Sequence, residues 1–512
     1  MKRPFVIHPF LFALFPVLFL FSHNIEELSA RVMIAPATVL ILGAFLLWFL
    51  LSLLLRDRIR AGLVVSLALL LFFSYGHVND LMKNLAWGGL GPLRHRHLLC
   101  IWGGLFALGA YFSLRSRRNL YGLTNFLNIV AIFSVAIPLF NIAVYEAGTR
   151  NASDQSGIME IDVAKLPKAG ELPDIYYIIL DEYGGEDILR EMYRHDNGPF
   201  LDSLSKRGFY VARKSRSNYH YTHWSLVSSL NSEYLTGTGN WRDRIRNSKV
   251  FRVLKKCGYT TVAFSSEISY TDLRNVDVYM GPKWAFNEFQ NQLMNATPLL
   301  IVTSKLWSSA GFHRQHILYT LEHLTDASRS EKPVLVFAHI FCPHPPFVFE
   351  EDGSPATGDR FLKFDDAAWS ARGKAIVEEY TEGYRKQIVF LNRRLTTIID
   401  GMLSNSSRPC VIVLQADHGP RAKFYYDDID RSYLKERFSI LNAYYLPDTD
   451  YGHLYEGISP VNTFRVIFNR YLGTELELLD DRCYLTRVDR PGEFFDVTDQ
   501  VADSSAMAGS HH

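Results

Sequence analysis

The chain has 512 residues and a formal net charge of +1. That length allows two or three domains, and the charge argues against a nucleic-acid partner, because phosphate backbones demand a strong basic surplus. Its five cysteines, Cys100, Cys257, Cys342, Cys410 and Cys483, show no CxxC spacing and are too scattered for a disulfide framework; they read as small buried apolar residues, with one disulfide in an oxidising compartment as the alternative.

Up to about residue 146 the chain is dominated by Leu, Phe, Ala, Ile and Val. Five apolar segments stand out, at 4–21, 33–55, 61–78, 98–113 and 123–144. Most approach the ~20 residues that cross about 30 Å of hydrocarbon, the first and fourth being shorter. Lys2 and Arg3 precede the first segment, Arg56, Arg58 and Arg60 follow the second, and Arg115, Arg117 and Arg118 follow the fourth. The opposite loops carry fewer cations, so the N-terminus is expected inside and everything after about 146 outside the cytoplasm. A signal peptide is the alternative for the first segment, and it leaves the second half on the same side. The expected division is a transmembrane domain at 1–146, a polar linker at 147–172, an extracytoplasmic domain at 173–505, and a tail at 506–512 that reads as an appended tag.

In the second half, apolar runs at 175–180, 260–264, 334–338, 411–414 and 440–445 lack polar alternation, as strands buried on both faces do. Helical stretches alternate with them: 200–206 before Gly208, 375–403 with apolar residues at helical spacing, and 461–471. The expected fold is an α/β layer structure, a central mostly parallel or mixed sheet covered by helices. In such folds ligands sit beyond strand ends.

The residues that carry chemistry lie at those ends. Asp181 and Glu182 follow the run at 175–180, and Asp417-His418-Gly419 follows the run at 411–414. Carboxylates and an imidazole leaving two strand tips are what a divalent cation needs. Thr222, in Ser217-Asn218-Tyr219-His220-Tyr221-Thr222-His223-Trp224-Ser225, is the candidate nucleophile, and Ser225 is the second choice. An alcohol needs a metal or base to attack at neutral pH, and the free N–H groups of a helix start favour a phosphoryl oxyanion. His344, in Cys342-Pro343-His344-Pro345-Pro346, is held by prolines and could protonate a leaving oxygen, bind phosphate or ligate a second cation; His339 is secondary. Arg421 could grip a phosphate. His223 and His453 are weaker candidates for substrate contact, and His220 flanks the site.

These strings resemble the alkaline phosphatase superfamily, and within it the membrane-anchored sulfatase-like proteins, a group that includes lipoteichoic acid synthases and lipid A phosphoethanolamine transferases. The resemblance covers about 173–480. It implies that Asp181, Thr222, Asp417 and His418 bind one divalent cation and that Thr222 carries a covalent phospho-intermediate. The chain departs from the pattern in two ways. No Cys/Ser-x-Pro-x-Arg string surrounds Thr222, which disfavours formylglycine sulfate hydrolysis, and the first acid is Asp where the transferases use Glu, so Glu182 becomes a candidate further ligand. A full second-metal set is not found.

The expected function is a membrane-bound transferase. It would take phosphoethanolamine or phosphoglycerol from a membrane phospholipid onto Thr222 and pass it to an envelope glycan or lipid at the bacterial cytoplasmic (inner) membrane. His plus carboxylates suits Zn²⁺ or Mn²⁺ better than Ca²⁺. The alternatives are a hydrolase with the same site and a non-catalytic membrane protein that keeps the fold.

Overall fold

The computed structural model describes residues 4–25, 28, 30–85, 95–152, 172–235, 241–282, 288–302, 309–327, 330–356, 374–405, 408–426, 428–487 and 490–503. The expected linker between 153 and 171 and the expected tail 506–512 lie outside the described residues. The chain forms two compact units, Met1–Asn151 with Phe286–Ser309, and Ala152–Ala285 with Ala310–His512.

The first unit holds the helices α1 (His8–His23), α2 (Arg31–Leu55), α3 (Arg58–Leu85), α4 (His95–Arg115) and α5 (Tyr121–Ala152). Four of these, α2 to α5, are long and apolar enough to cross a membrane, while α1 is a shorter apolar helix. Their outward residues include Leu54, Val39, Phe133 and Phe140, each more than 60% exposed. A helix that is apolar all round suits hydrocarbon and not water. The ends are tied by polar groups. Asp57 Oδ1 accepts the N–H of Ile59 at 3.0 Å and of Arg60 at 3.2 Å, capping α3. The Arg60 guanidinium donates to the carbonyls of Leu114 (2.5 Å) and Ser116 (3.1 Å), where α4 ends and unpaired carbonyls favour a cation. The two Arg-rich connections therefore share one end of the bundle. Asn128 in α5 accepts the N–H groups of Ile7 and His8 at the start of α1, bringing that start to α5.

The second unit is built on a seven-stranded sheet of β1 (Asp174–Leu180), β2 (Tyr210–Val211), β3 (Thr260–Phe264), β4 (Val278–Met280), β5 (Val334–Ile340), β6 (Cys410–Gln415) and β7 (Asn442–Tyr445), in the order β2-β7-β6-β1-β5-β3-β4. The five strands from β6 to β4 are parallel; β7 and β2 add on antiparallel. The sheet is thus mixed and mostly parallel. Both faces of β1 are buried, and alternate residues feed two cores. Tyr176, Ile178 and Leu180 pack under the long helix Lys374–Asn405, with Tyr380, Tyr384, Ile388 and Leu391. Ile175, Tyr177 and Ile179 pack on the other face with Leu226, Val227 and Leu230 of the helix Thr222–Asn231 and with Phe464 and Ile467 of the helix Thr463–Leu472. That two-sided burial is why these strands carry no polar alternation. A hairpin of β8 (Tyr484–Arg487) and β9 (Arg490–Asp496) follows.

Candidate active site

β6, β1 and β5 lie side by side, and their ends are in register: Ile179 stands opposite His339 on one side and Gln415 on the other. The sheet therefore delivers Asp181, His339 and Asp417 to one edge, and a ligand atom of each lies within 4.8 Å of the others. All three are buried.

Backbone and side chains orient each group. Asp417 Oδ1 accepts the N–H of His418 (2.9 Å) and of Glu182 (3.2 Å), which leaves Oδ2 facing the cluster. Ser225 Oγ donates to the Asp417 carbonyl at 2.6 Å, so the second-choice nucleophile holds the loop. Gly419 allows the turn, because a Cβ there would strike the carbonyl oxygens of Glu436 and Ser439. Thr222 is the first residue of its helix, preceded by an extended Tyr221. Its Oγ1 lies 3.1 Å from His418 Nε2. That nitrogen is also 3.3 Å from Asp417 Oδ2 and 4.0 Å from Asp181 Oδ1. His418 Nδ1 faces the Gly419 carbonyl at 3.2 Å, which assigns the proton to Nδ1 and the lone pair to Nε2. His339 is fixed in the same way: Nδ1 is 3.0 Å from Thr271 Oγ1, and Nε2 points at Asp181 Oδ2 from 3.2 Å.

Asp181 Oδ1 and Oδ2, Asp417 Oδ2 and His339 Nε2 are buried and make no hydrogen bond. Acceptors in that condition are costly, and lone pairs that face one another are satisfied by a cation. Burial, then the Glu182 charge, holds the Asp181 carboxyl well above its usual range. Burial and then Asp181 push Asp417 up to about 7. Burial lowers His339 to about 4. Burial, then Arg437, holds His418 well below its usual range, so both rings present neutral nitrogen. The donor set, carboxylates with imidazoles and a hydroxyl, fits Zn²⁺ or Mn²⁺. Asp181, Thr222, Asp417 and His418 would hold such an ion, and His339, whose Nε2 lies 3.2 Å from Asp181 Oδ2, is within reach of the same cluster.

Glu182 goes elsewhere. Its φ of +64° is left-handed, a conformation that costs a non-glycine residue about 1–3 kcal/mol. The carboxylate meets Arg437 at 2.7 Å, Arg421 at 3.3 Å and the Tyr380 hydroxyl at 3.0 Å. Burial alone would raise its carboxyl, but Arg421 and Arg437 together outweigh burial and hold it below the usual range. Arg437 uses its whole guanidinium: Nε donates to the His220 carbonyl, Nη1 to Glu182 and the Gly419 carbonyl, and Nη2 to Tyr426 Oη and to His418 Nε2 at 3.2 Å.

His344 is held by its backbone N–H on the Asp181 carbonyl (3.1 Å) and by Gln387, which donates to the carbonyls of Pro343 and His344. Its Nδ1 meets the Pro345 carbonyl at 2.5 Å, and Nε2 lies 3.7 Å from Glu182 Oε1. Burial, then Arg421, keeps this ring neutral too. The remaining candidates lie apart from this cluster. His220 is packed among Tyr221, Phe424, Tyr426 and Phe438. His223 sits among Trp224, Trp241 and Tyr270, and His453 is exposed in a turn. Sequence reasoning missed Arg437 and Tyr380. Lys435-Glu436-Arg437 looks like a solvated turn, and the one available signal was its place just before the apolar run at 440–445.

The four residues that the superfamily resemblance pairs with one cation thus meet at a single edge of the sheet. No family model and no curated protein matches the chain. Among solved structures it is similar to the C-terminal periplasmic domain of EptC from Escherichia coli in complex with Zn, at 14% identity and a TM-score of 0.43 over 64% of this chain and 96% of that one. It is also similar to the integral membrane lipooligosaccharide phosphoethanolamine transferase A of Neisseria meningitidis (12%, TM-score 0.38, 91% of this chain and 95% of that one). A third likeness is to the phosphonate monoester hydrolase of Agrobacterium radiobacter (11%, TM-score 0.38, 61% and 80%). These likenesses are distant, and the chemistry is read from the residues themselves.

Proposed function

We propose that this chain is a metal-dependent phospho-group transferase of a bacterial inner membrane, with its second unit outside the cytoplasm. It takes the phosphorylated head group of a phospholipid onto Thr222 and passes it to a hydroxyl of an envelope glycan or lipid. The observation that carries this reading is Thr222 Oγ1 at a helix start, 3.1 Å from His418 Nε2 and beside two buried carboxyls with unsatisfied oxygens.

When bound, a divalent cation would lower the pKa of the Thr222 hydroxyl and neutralise phosphoryl charge. The protein does the rest. Thr222 Oγ1 bonds to phosphorus while the bond to the glycerol oxygen of the lipid breaks, and the proton that the Thr222 hydroxyl gives up balances the one the departing oxygen takes. The N–H groups at the start of the Thr222–Asn231 helix face the developing oxyanion. His344 donates its Nδ1–H to the Pro345 carbonyl, so Nε2 is an acceptor, suited to taking the proton of the incoming hydroxyl in the second step. Arg437 donates an N–H to the same His418 nitrogen that a cation would take, and with that nitrogen occupied the N–H would be available to a phosphoryl oxygen.

Charge supports a diester substrate. With the protons of Asp181 and Asp417 displaced, these two and Glu182 carry three negative charges against Arg421 and Arg437, all buried, a balance of one negative charge. With a divalent cation bound, the balance before Thr222 ionises would be one positive charge, the complement of a monoanionic phosphodiester. The hydrolase reading shares every residue and differs only in the acceptor.

The test uses the full-length protein in nanodiscs with phospholipid labelled at the head-group phosphorus, quenched in acid and digested for mass spectrometry. Label on the peptide that contains Thr222 is expected. Turnover with label on another residue, or with no labelled protein under any quench, refutes it. Free labelled head group with no modified acceptor selects hydrolysis.

A further inference from the structure

The first unit takes in a piece of chain far from its five helices, Phe286–Ser309, which sequence order places inside the sheet-bearing half. The chain leaves that half after β4 and rejoins it at the helix Ser309–His323. The short helix Glu288–Asn295 buries Phe289 to 1% exposure against Val17, Phe21, Ile25 and Leu28, and sets Leu293 against the same cluster with Ile142 and Tyr145 of α5. Next, the Ala296 carbonyl accepts the N–H of Gly76 in α3 at 2.9 Å. The approach is so close that a Cβ at Gly76 would strike the backbone of Asn295 and Ala296.

That contact fixes a depth. Gly76 stands 18 residues after Arg58 (76 − 58), and at 1.5 Å per residue that is about 27 Å along the helix from the Arg-rich end. The hydrocarbon is about 30 Å thick, so Ala296 lies near the opposite membrane surface, just inside it. From there the chain makes an ordered turn, with the N–H groups of Leu300, Ile301 and Val302 on the carbonyls of Thr297, Pro298 and Leu299. The residues are Pro298-Leu299-Leu300-Ile301-Val302, and Leu299 and Val302 are 44% and 47% exposed. Side chains of this kind on a helical bundle whose own outer face is Leu and Phe continue one apolar surface. In sequence, Lys283-Trp284 and Lys305-Leu306-Trp307 flank the stretch, the composition of chain at head-group level.

We propose that residues 288–302 are a membrane-inserted excursion. Phe289 and Leu293 dock it on α1, α2 and α5, and Leu299 and Val302 enter the acyl region of the leaflet opposite the Arg-rich loops. The partner is phospholipid acyl chain. The inference rests on α2–α5 crossing a bilayer and is independent of the chemistry at Thr222. It gives the catalytic half two further covalent ties to the membrane beyond the one near residue 152.

The test uses the full-length protein with the exposed Cys100 replaced by serine; the other cysteines are buried. Leu299→Cys, Val302→Cys and, as a control on the sheet-bearing unit, Leu478→Cys each carry an environment-sensitive thiol dye. The variants are placed in nanodiscs of phosphatidylcholine and phosphatidylglycerol, with or without doxyl-labelled lipid. Dyes at 299 and 302 should emit blue-shifted light, lose intensity with doxyl lipid and ignore iodide, while the dye at 478 does the reverse. Iodide quenching at 299 and 302 equal to that at 478 overturns the proposal. Shielding from both quenchers that is relieved by dilution also overturns it, in favour of a face between two copies of this chain.

Discussion

Replacing Glu182 by glutamine separates two roles for the second acid of the pair. As built, Glu182 neutralises Arg437 and Arg421 inside the protein, at 2.7 and 3.3 Å. Gln keeps the shape and one acceptor for Arg437 but removes the charge. It removes the carboxylate that two guanidinium groups, both under 6% exposed, share. Breaking a buried pair from one side costs about 3–5 kcal/mol. For a unit of this size that is a fall in Tm of about 4–7 °C. The buried thiols Cys257, Cys342, Cys410 and Cys483 report the unfolding of that unit when they react with a maleimide dye on heating. The experiment is run after chelation, and bound metal is then measured on reloaded protein. The expected result is a lower Tm in the chelated protein with metal stoichiometry retained. A loss of bound metal with unchanged Tm in the chelated state would refute this assignment and make Glu182 a ligand.

Thr222→Ala should lower turnover at least ~10³-fold, with folding intact, as for loss of other covalent nucleophiles; a steady-state assay with labelled lipid checks it, and retained activity would transfer the role. Metal affinity should fall as pH drops through about 7, because the Asp417 carboxyl, raised to about 7 by burial and Asp181, must lose its proton to bind. Below that pH the loss is roughly tenfold per unit for this group, read by calorimetry in buffers of different ionisation heat. Gly419→Ala should cost about 2 kcal/mol or more and lower metal occupancy, since the new Cβ meets the backbone of Glu436 and Ser439 and cannot be relieved by a side-chain rotation; thermal melts and elemental analysis read both effects.

The sheet was legible because its central strands are buried twice over. The run at 260–264 is β3, and 411–414 lies inside β6 (Cys410–Gln415). Asp181 and Asp417 could be read as strand-end ligands for the same reason: each is the first acid after a run with no charged residue. Thr222 was readable as a helix start. What sequence could not show was direction. Asp181 and Glu182 are adjacent and chemically alike, yet the Asp181 carboxylate faces Asp417 and His339 while that of Glu182, at a left-handed φ, meets the arginines. Arg437 was hidden because a charged residue in a short turn reads as solvated until three segments close over it. The piece at 286–309 was hidden because its apolar residues are too few to register as a membrane segment, and the close approach of the Asn295 and Ala296 backbone depends on Gly76, more than 200 residues earlier in the chain.

The central claim is that Asp181, Thr222, Asp417 and His418 share one ion. Anomalous diffraction from protein loaded with Zn²⁺ or Mn²⁺ tests it most directly. A peak is expected about 2.0–2.2 Å from oxygens of Asp181, Asp417 and Thr222 and from His418 Nε2. An ion bound without Asp181 and Thr222, or seated only at another cluster, would contradict it.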